Sequence, residues 1–407
     1  MNAQNQTIDL GISRNEVAES LVNAGYWEST GHQGNRRYVL SPSAFVLSRE
    51  QQVELSRLAT ALYPAVGALN NRLCDIAQNE KGRTHQDGMF LRLGNTAARG
   101  LLDPVDGCRM IPPLLKVDLM QNECGDFKIA EVDVYNPRGL GYNALLNEMG
   151  AGLAGKKLYP GMDTIARLLR EASDRRWVIV VSAFEQYYRI AFEIFARAMS
   201  RRGVDICVID DAHIRDNKHV LQGGAVLIVP DSLHTHAAAR EQLMEWYRDH
   251  SMRTFYPPVA YLGSKAFLPF LRACAGMEAF LPECGLVGKR WTDPREQFSG
   301  PYVLKAGVSS GLKGVFFSNL DAEAFEKEYA TARSLKTGSW VLQQQVTQQA
   351  VPVTIFGPCG VRSTKHFYLR LTIQVGESGV VDAEVTGRTD PKVHGAPDCI
   401  QLPVVLE

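Results

Sequence analysis

The sequence predicts a mixed fold, part α/β and part α+β. Two patterns of apolar residues support this prediction. Between Arg176 and Arg272, continuous apolar strands alternate with helices, as in a parallel sheet covered on both faces. From Tyr302 onward, short strands surround a single helix, which is typical of an antiparallel sheet. We therefore expect a small Rossmann-like unit inserted between two other regions.

The N-terminal region is predicted to be helical. Residues 13–24 form one predicted helix, with Ser13 as N-cap and Glu16 three residues later. A second, long amphipathic helix is predicted over residues 51–77, because six apolar residues fall on one helical face. These are Leu55, Leu58, Leu62, Val66, Leu69 and Leu73.

A hairpin with acidic residues follows this region. Residues 114–119 and 127–134 are predicted strands, and Cys124, Gly125 and Asp126 form the turn between them. In the Rossmann-like unit the predicted strands are 177–181, 204–209 and 225–229, and the helices are 186–201 and 237–250. No GxGxxG motif follows the first of these strands, which argues against a dinucleotide site.

The C-terminal third is predicted to contain a helix at 322–334 and several strands. The strands are 302–306, 315–317, 340–346 and 366–375, with a Gly/Ser loop at 308–314. We expect three domains. Residues 1–175 hold the helices and the acidic hairpin, 176–285 the Rossmann-like unit, and 286–407 the antiparallel lobe with the last strands.

Composition limits the classes of partner. The chain has 44 Lys and Arg against 44 Asp and Glu, so no overall charge attracts nucleic acid. It has no apolar run of the ~18–20 residues that a membrane span needs. The polar N-terminus lacks the apolar core of a signal peptide, and the eight scattered cysteines form no CxxC pair. We therefore expect a cytoplasmic protein with reduced thiols and with neither nucleic-acid nor membrane partners.

Lys305 and the loop after it are predicted to bind nucleotide phosphates. The lysine lies on a predicted strand, and the loop supplies hydroxyl groups, glycine amides and a second lysine. Its candidate binding residues are Ser309, Ser310, Gly311 and Lys313. The segment is not a Walker A motif, because no helix follows it. The alternative is an ordinary glycine-rich hairpin.

Three acidic residues of the hairpin are candidate ligands for Mg²⁺. Glu131 and Asp133 share one face of a strand, and the hairpin partner can bring Asp118 alongside them. Three converging carboxylates repel one another unless a cation lies between them, and Mg²⁺ favours oxygen ligands. The alternative is a solvated acidic face on an exposed hairpin.

Several other charged residues are ambiguous when each is considered alone. A surface position is the ordinary interpretation for such side chains, and His394 is expected in a solvent-exposed loop. The other residues in this group are Lys116, Arg138, Lys265, Arg370 and Arg388.

In their order along the chain, these segments resemble the ATP-grasp superfamily, in the circularly permuted form of eukaryotic glutathione synthetase and glutathionylspermidine synthase. The matching segments are Lys116-Val117-Asp118, Glu131-Val132-Asp133, Pro257-Pro258 with Lys265, Val303-Leu304-Lys305, and residues 341–346. Asp133 replaces the family's Asn, and Lys116 replaces its Arg. The resemblance implies a circularly permuted ATP-grasp fold with an inserted Rossmann-like domain.

The resemblance also implies an activity, that of an ATP-dependent ligase that joins a carboxylate to an amine through an acyl-phosphate. Lys265 and Lys305 would hold the phosphates of ATP, and Lys313 would close the loop over them. The hinge formed by Gln344, Gln345 and Val346 would contact adenine. Asp118, Glu131 and Asp133 would bind Mg²⁺, and Lys116, Arg138 and Arg370 would be the catalytic cations. The partners would be small-molecule acids and amines. The resemblance leaves open whether the chain forms a homodimer.

Three other functions remain open at this stage. The first is a phosphotransferase that stops at the phosphorylated product, because one fold can serve several reactions. The second is a catalytically silent nucleotide-binding protein. The third is a transferase centred on residues 177–230, against which the missing glycine-rich turn argues.

Overall fold

The computed structural model describes residues 7–23, 39–79, 90, 110–134, 140–141, 145–146, 149, 157–181, 186, 188–211, 214, 224–228, 237–257, 260–309, 314–336, 339–357, 360–394 and 398–407. The helices in these ranges are α1 (Arg14–Asn23), α2 (Arg49–Gln78), α3 (Gly161–Ala172), α4 (Arg189–Ser200), α5 (Ala237–Arg248), α6 (Leu268–Arg272) and α7 (Ala322–Ser334). The strands are β1 (Thr7–Asp9), β2 (Ser43–Leu47), β3 (Leu115–Gln121), β4 (Phe127–Asp133), β5 (Trp177–Val181), β6 (Ile206–Asp210), β7 (Ala225–Ile228), β8 (Arg253–Thr254), β9 (Cys284–Val287), β10 (Tyr302–Ala306), β11 (Val315–Phe317), β12 (Trp340–Gln344), β13 (Val351–Phe356), β14 (Arg362–Gly376), β15 (Gly379–Arg388) and β16 (Ile400–Leu406).

The largest sheet joins the two ends of the chain. Its strand order is β1-β2-β16-β15-β14-β3-β4, and β13 pairs with the outer half of β14. All of these pairs are antiparallel except β16 with β2. The hairpin β3–β4 therefore lies beside strands that follow it by more than 200 residues.

One face of this sheet is apolar and packs on α2. The six apolar residues predicted for one face of that helix are all buried, and they share a core with Val117, Ile373 and Val385 of the sheet. The residues between these on β3, β14 and β15 point to the other face, since side chains alternate along a strand. That second face carries most of the charged residues considered below.

Two smaller sheets complete the fold. The Rossmann-like unit has the parallel strand order β6-β5-β7-β8, and its apolar strands pack against α3 and α4. The other sheet is antiparallel, with the order β11-β10-β12-β9, and it packs on α7.

The structure confirms the mixed α/β and α+β composition. Ser13 and Glu16 form the predicted capping pair, with each side chain accepting from the other's amide. No disulfide joins any two of the six described cysteines. Seven described strands were not predicted from the sequence, namely β1, β2, β8, β9, β13, β15 and β16. The strand predicted at 366–375 begins earlier, at Arg362. Among the helices in the described ranges, none combines the length and the hydropathy of a membrane span.

Candidate functional site

The hairpin β3–β4 places four charged side chains on one face. Asp118 lies opposite Glu131, and Lys116 lies opposite Asp133. Directly opposed residues point to the same side of a sheet, with Cα atoms ~5 Å apart. Asp118 is only 5% exposed, so the alternative of a solvated acidic face is wrong for this residue.

A bulge in β4 creates an acceptor for Lys305. The register passes from Asp118 opposite Glu131 to Leu119 opposite Ile129, so Ala130 has no partner in the ladder. The Ala130 carbonyl instead accepts a hydrogen bond of 2.8 Å from Lys305 Nζ. This contact joins β10 of the small antiparallel sheet to the acidic hairpin of the large one.

Lys305 is buried among neutral acceptors. Its ammonium group donates to the Ala130 carbonyl and to the side-chain oxygen of Gln343 on β12. Gln343 in turn donates to the Ile129 carbonyl at 3.2 Å. Burial lowers the pKa of Lys305 to about 8, although Glu131 partly opposes that effect.

Lys265 reaches the same place from a different segment. It begins a short 3₁₀ helix, Lys265–Phe267, that Ser264 caps. Its Nζ lies 2.9 Å from Glu131 Oε1 and 2.9 Å from the Ser309 carbonyl. Lys265 is 5% exposed, so the surface alternative is wrong for it. Two buried lysines thus converge beside Glu131.

Glycine at position 307 brings Lys265 close to the segment after β10. The Lys265 amide donates to the Gly307 carbonyl at 2.8 Å. A Cβ atom on Gly307 would come within 2.8 Å of the Ser339 carbonyl oxygen and 3.1 Å of Ser264 Oγ. The approach therefore requires a residue without a side chain.

Asp118 lies between two cations. Its carboxylate is 3.3 Å from Lys116 Nζ and 3.4 Å from an Arg370 guanidinium nitrogen, and it accepts a 2.7 Å hydrogen bond from Thr372. Burial alone would raise the pKa of Asp118. Arg370, Lys116 and the Thr372 hydroxyl together outweigh burial and lower that pKa to about 2.

Arg370 and Lys116 are mostly buried, with side chains 18% and 15% exposed. The surface alternative is therefore wrong for both. Within the described residues, Arg370 Nε has no hydrogen-bond partner. This Nε atom is itself buried, so it is an unsatisfied donor inside the fold.

The polar face continues beyond the predicted residues. Thr372 on β14 lies opposite both Asp118 and Glu384 of β15. Burial raises the pKa of the Glu384 carboxyl to about 8, against the opposing effect of Arg370 and Lys116. The sequence analysis missed Glu384. A signal was present, because Asp382, Glu384 and Thr386 alternate with apolar residues at the strand period of two.

The hinge residues line a separate cavity. Gln344, Gln345 and Val346 contribute to a space of about 240 Å³ whose opposite wall includes Asn122 and Lys128 of the hairpin. The Gln344 amide donates to the Glu283 carbonyl and the Gln345 amide to the Pro301 carbonyl. This cavity begins one residue beyond Gln343.

Some predicted residues cannot be placed or do not join the site. Arg138, Ser310, Gly311 and Lys313 lie outside the described residues. Arg388 ion-pairs with Asp398, and His394 is half-buried against Arg388 rather than exposed.

The carboxylates suit a hard cation by the chemistry of their oxygen atoms. Asp118 and Glu131 are opposed oxygen donors on one face, and Asp133 follows on the same side of β4. In this structure the charge of Asp118 is neutralised by Lys116 and Arg370. The charge of Glu131 is neutralised by Lys265. Among the described residues, no three acidic, histidine or cysteine side chains gather closely enough to form a metal-binding group. The role of the trio in metal binding stays a prediction.

Comparison of the chain with protein-family models and with curated proteins finds no match. The chemistry of the site must therefore be inferred from its geometry.

Proposed function

We propose that this protein is an ATP-dependent carboxylate–amine ligase with a circularly permuted ATP-grasp fold. The observation that supports it most is the convergence of Lys265 and Lys305 beside Glu131, at the junction of two antiparallel sheets. The two lysines come from separate segments, and each is less than a tenth exposed. A nucleotide between the two sheets would have its phosphates at this junction.

The charge of the lysines favours an anionic ligand. A buried ammonium group is costly unless it is paired, and the described partners of Lys305 are a carbonyl and an amide oxygen. A polyphosphate would supply the missing counter-charge. Lys265 could then exchange its contact with Glu131 for a phosphate oxygen, which would release Glu131 toward a cation.

Arg370 and Lys116 suit a carboxylate substrate. Both lie next to Asp118. Lys116 is on β3, one strand from the β4 residues that the lysine pair contacts, and Arg370 is on β14, two strands away. Arg370 can orient a carboxylate with its planar donors. The same two cations can stabilise the oxyanion that forms when an amine attacks the activated acyl group.

The reaction has two balanced steps. A carboxylate oxygen attacks the γ-phosphorus of ATP, the bond from that phosphorus to the β–γ bridging oxygen breaks, and ADP leaves. The amine nitrogen then attacks the acyl carbon, a C–N bond forms, and the C–O bond to phosphate breaks. The ammonium gives one proton to the leaving phosphate and one to solvent. Mg²⁺, held by Asp118, Glu131 and Asp133, would neutralise charge on the phosphates.

An ADP-release assay tests this proposal. The full chain is supplied with Mg²⁺, ATP and a pool of carboxylates, with and without a pool of amines. We expect ADP that depends on both pools and that Lys305→Met abolishes. Lys327→Met, an exposed lysine on α7, is the matched control and should keep the wild-type rate. ADP that forms equally well without amine would contradict the ligase, as would an undiminished rate in Lys305→Met.

A further inference from the structure

A row of side chains crosses five strands on the polar face of the large sheet. In spatial order it consists of Glu131 on β4, Asp118 on β3, Thr372 on β14, Glu384 on β15 and Pro403 on β16, each directly opposite the next. We call it the cross-strand row. Neighbouring strands lie ~5 Å apart, so Glu384 is ~14 Å from the lysine end. The phosphates and the acyl group would occupy the first half, which leaves Glu384 for the amine.

Glu384 is the carboxyl group of the row that lacks a described hydrogen-bond or ion-pair partner. Its residue is 7% exposed, and no hydrogen bond or ion pair reaches its carboxyl group from the described residues. Asp118, by contrast, has three such partners. The charged groups facing Glu384 at longer range are Arg370, Lys116, Asp118 and Asp382.

A second polar group beside Glu384 is also without a partner. Gln374 lies two residues beyond Thr372 on the same face of β14, diagonal to Glu384. It is 1% exposed, and within the described part of the chain neither its amide oxygen nor its amide nitrogen has a hydrogen-bond partner. Buried amides are normally satisfied, so this position favours a polar ligand that both side chains contact.

The row ends at a small, largely apolar cavity of about 20 Å³. Pro403 and Gln401 of β16 line it together with Leu10, Ile12, Val17 and Met149, and Ser41 and Ser43 add two hydroxyl groups to its wall. The cavity volume is roughly the space of one water-sized group. Pro403 is one strand from Glu384, a distance of ~5 Å that a three-carbon chain spans.

We propose that the outer half of the cross-strand row binds the amine substrate, with its ammonium group at Glu384 and Gln374 and a short uncharged alkyl group in the cavity beside Pro403. The role of this amine as a substrate rests on the proposed function, but its binding to the row does not. The amine belongs to the class of primary amines with a small apolar end. Amines with a second charge at that end would have to desolvate it in a small cavity whose described lining contains no acidic residue.

Ligand-observed saturation-transfer NMR on the full chain tests the inference, with and without Mg²⁺ and a non-hydrolysable ATP analogue. The probes are n-propylammonium and propane-1,3-diammonium, which share a three-carbon chain and differ in the second ammonium group at the far end. We expect tighter binding of n-propylammonium. Glu384→Gln should weaken its binding by about tenfold or more, because a charge-assisted hydrogen bond is lost. Glu377→Gln, in the exposed turn of the same hairpin, should leave it unchanged.

A second variant tests the cavity. Val17→Ile adds one methylene group to the cavity wall and should weaken the binding of n-propylammonium while leaving the binding of methylammonium unaffected.

Absence of n-propylammonium binding under both conditions, or equal binding to wild type and Glu384→Gln, would overturn the inference. If the amine binds at Glu384 but ADP release never requires an amine, the result contradicts the ligase activity and supports the amine site. A different outcome is that ADP release requires an amine, with the same half-saturating amine concentration in wild type and Glu384→Gln. That result would contradict the amine site and support the ligase activity.

Discussion

Lys305 and Ala130 are 175 residues apart in the chain, and the lysine ammonium group donates to the alanine carbonyl at 2.8 Å. The contact exists because a bulge removes Ala130 from the β3–β4 ladder. It holds the edge of the large sheet against the small antiparallel sheet, and it places a buried cation next to the acidic hairpin.

Replacing this lysine should affect nucleotide affinity more than stability. Lys305→Met removes a buried charge, which offsets the loss of hydrogen bonds to Ala130 and Gln343. We expect a change in the free energy of unfolding within ~1 kcal/mol, measured by urea denaturation. ATP binding, measured by calorimetry, should weaken by ~1.5–3 kcal/mol because a charged hydrogen-bond donor is lost. An unchanged ATP affinity would show that Lys305 does not face the phosphates.

ATP affinity should depend on pH through the same residue. Burial lowers the pKa of Lys305 to about 8, with Glu131, Lys265, Cys284 and Asp118 as the charged or titratable groups that face it. Above that pH the lysine loses its charge, so the Kd of ATP should rise as pH increases from 7 to 9.5. Lys305→Arg keeps its charge throughout this range and should abolish the pH dependence. A pH profile shared by both proteins would assign the effect to another group.

Glu384 should destabilise the folded protein at high pH. Burial raises the folded-state pKa of Glu384 to about 8 from its ordinary value of 4.5, so the folded state holds more protons than the unfolded state between these pH values. The free energy of unfolding therefore falls as pH rises through this window. Glu384→Gln should be more stable than wild type at pH 8 by on the order of 3 kcal/mol and equally stable at pH 4. Thermal unfolding at the two pH values measures this, with Glu377→Gln as the unaffected control.

Gly307 should be required for the position of Lys265. In Gly307→Ala the new methyl group would collide with the Ser339 carbonyl and press on Ser264. We expect a loss of ~1–3 kcal/mol in stability together with weaker ATP binding. Gly67→Ala in α2 is the control, because among the described residues its methyl group would meet Ile111 alone, at 3.7 Å. It should gain up to ~1 kcal/mol, as a helix interior prefers alanine, and keep the wild-type ATP affinity.

The sequence predicts those parts of the site that depend on local alternation. Glu131 and Asp133 share a face because they are two residues apart, and a short turn after Gln121 brings Asp118 beside them. The long helix α2 follows in the same way from its apolar period. Lys305 is identifiable because a strand precedes it and a Gly/Ser loop follows it.

The remaining contacts depend on pairings that no local pattern encodes. The contacts of Lys305 with Ala130 and of Lys265 with Glu131 join segments more than 130 residues apart. Glu384 was missed because an acidic residue in a strand ordinarily marks a solvent-facing position. Its burial follows from the pairing of β15 with both β14 and β16, in the interior of the large sheet.

An oxygen-18 transfer experiment tests the acyl-phosphate directly. The carboxylate substrate, labelled with ¹⁸O in both oxygens, is incubated with the protein, Mg²⁺, ATP and amine, and the phosphate released is examined by ³¹P NMR. The proposed reaction predicts one ¹⁸O atom in each phosphate, because the C–O bond breaks when the amine attacks. Phosphate that forms with the amide product but carries no ¹⁸O would contradict the acyl-phosphate route and with it the proposed function.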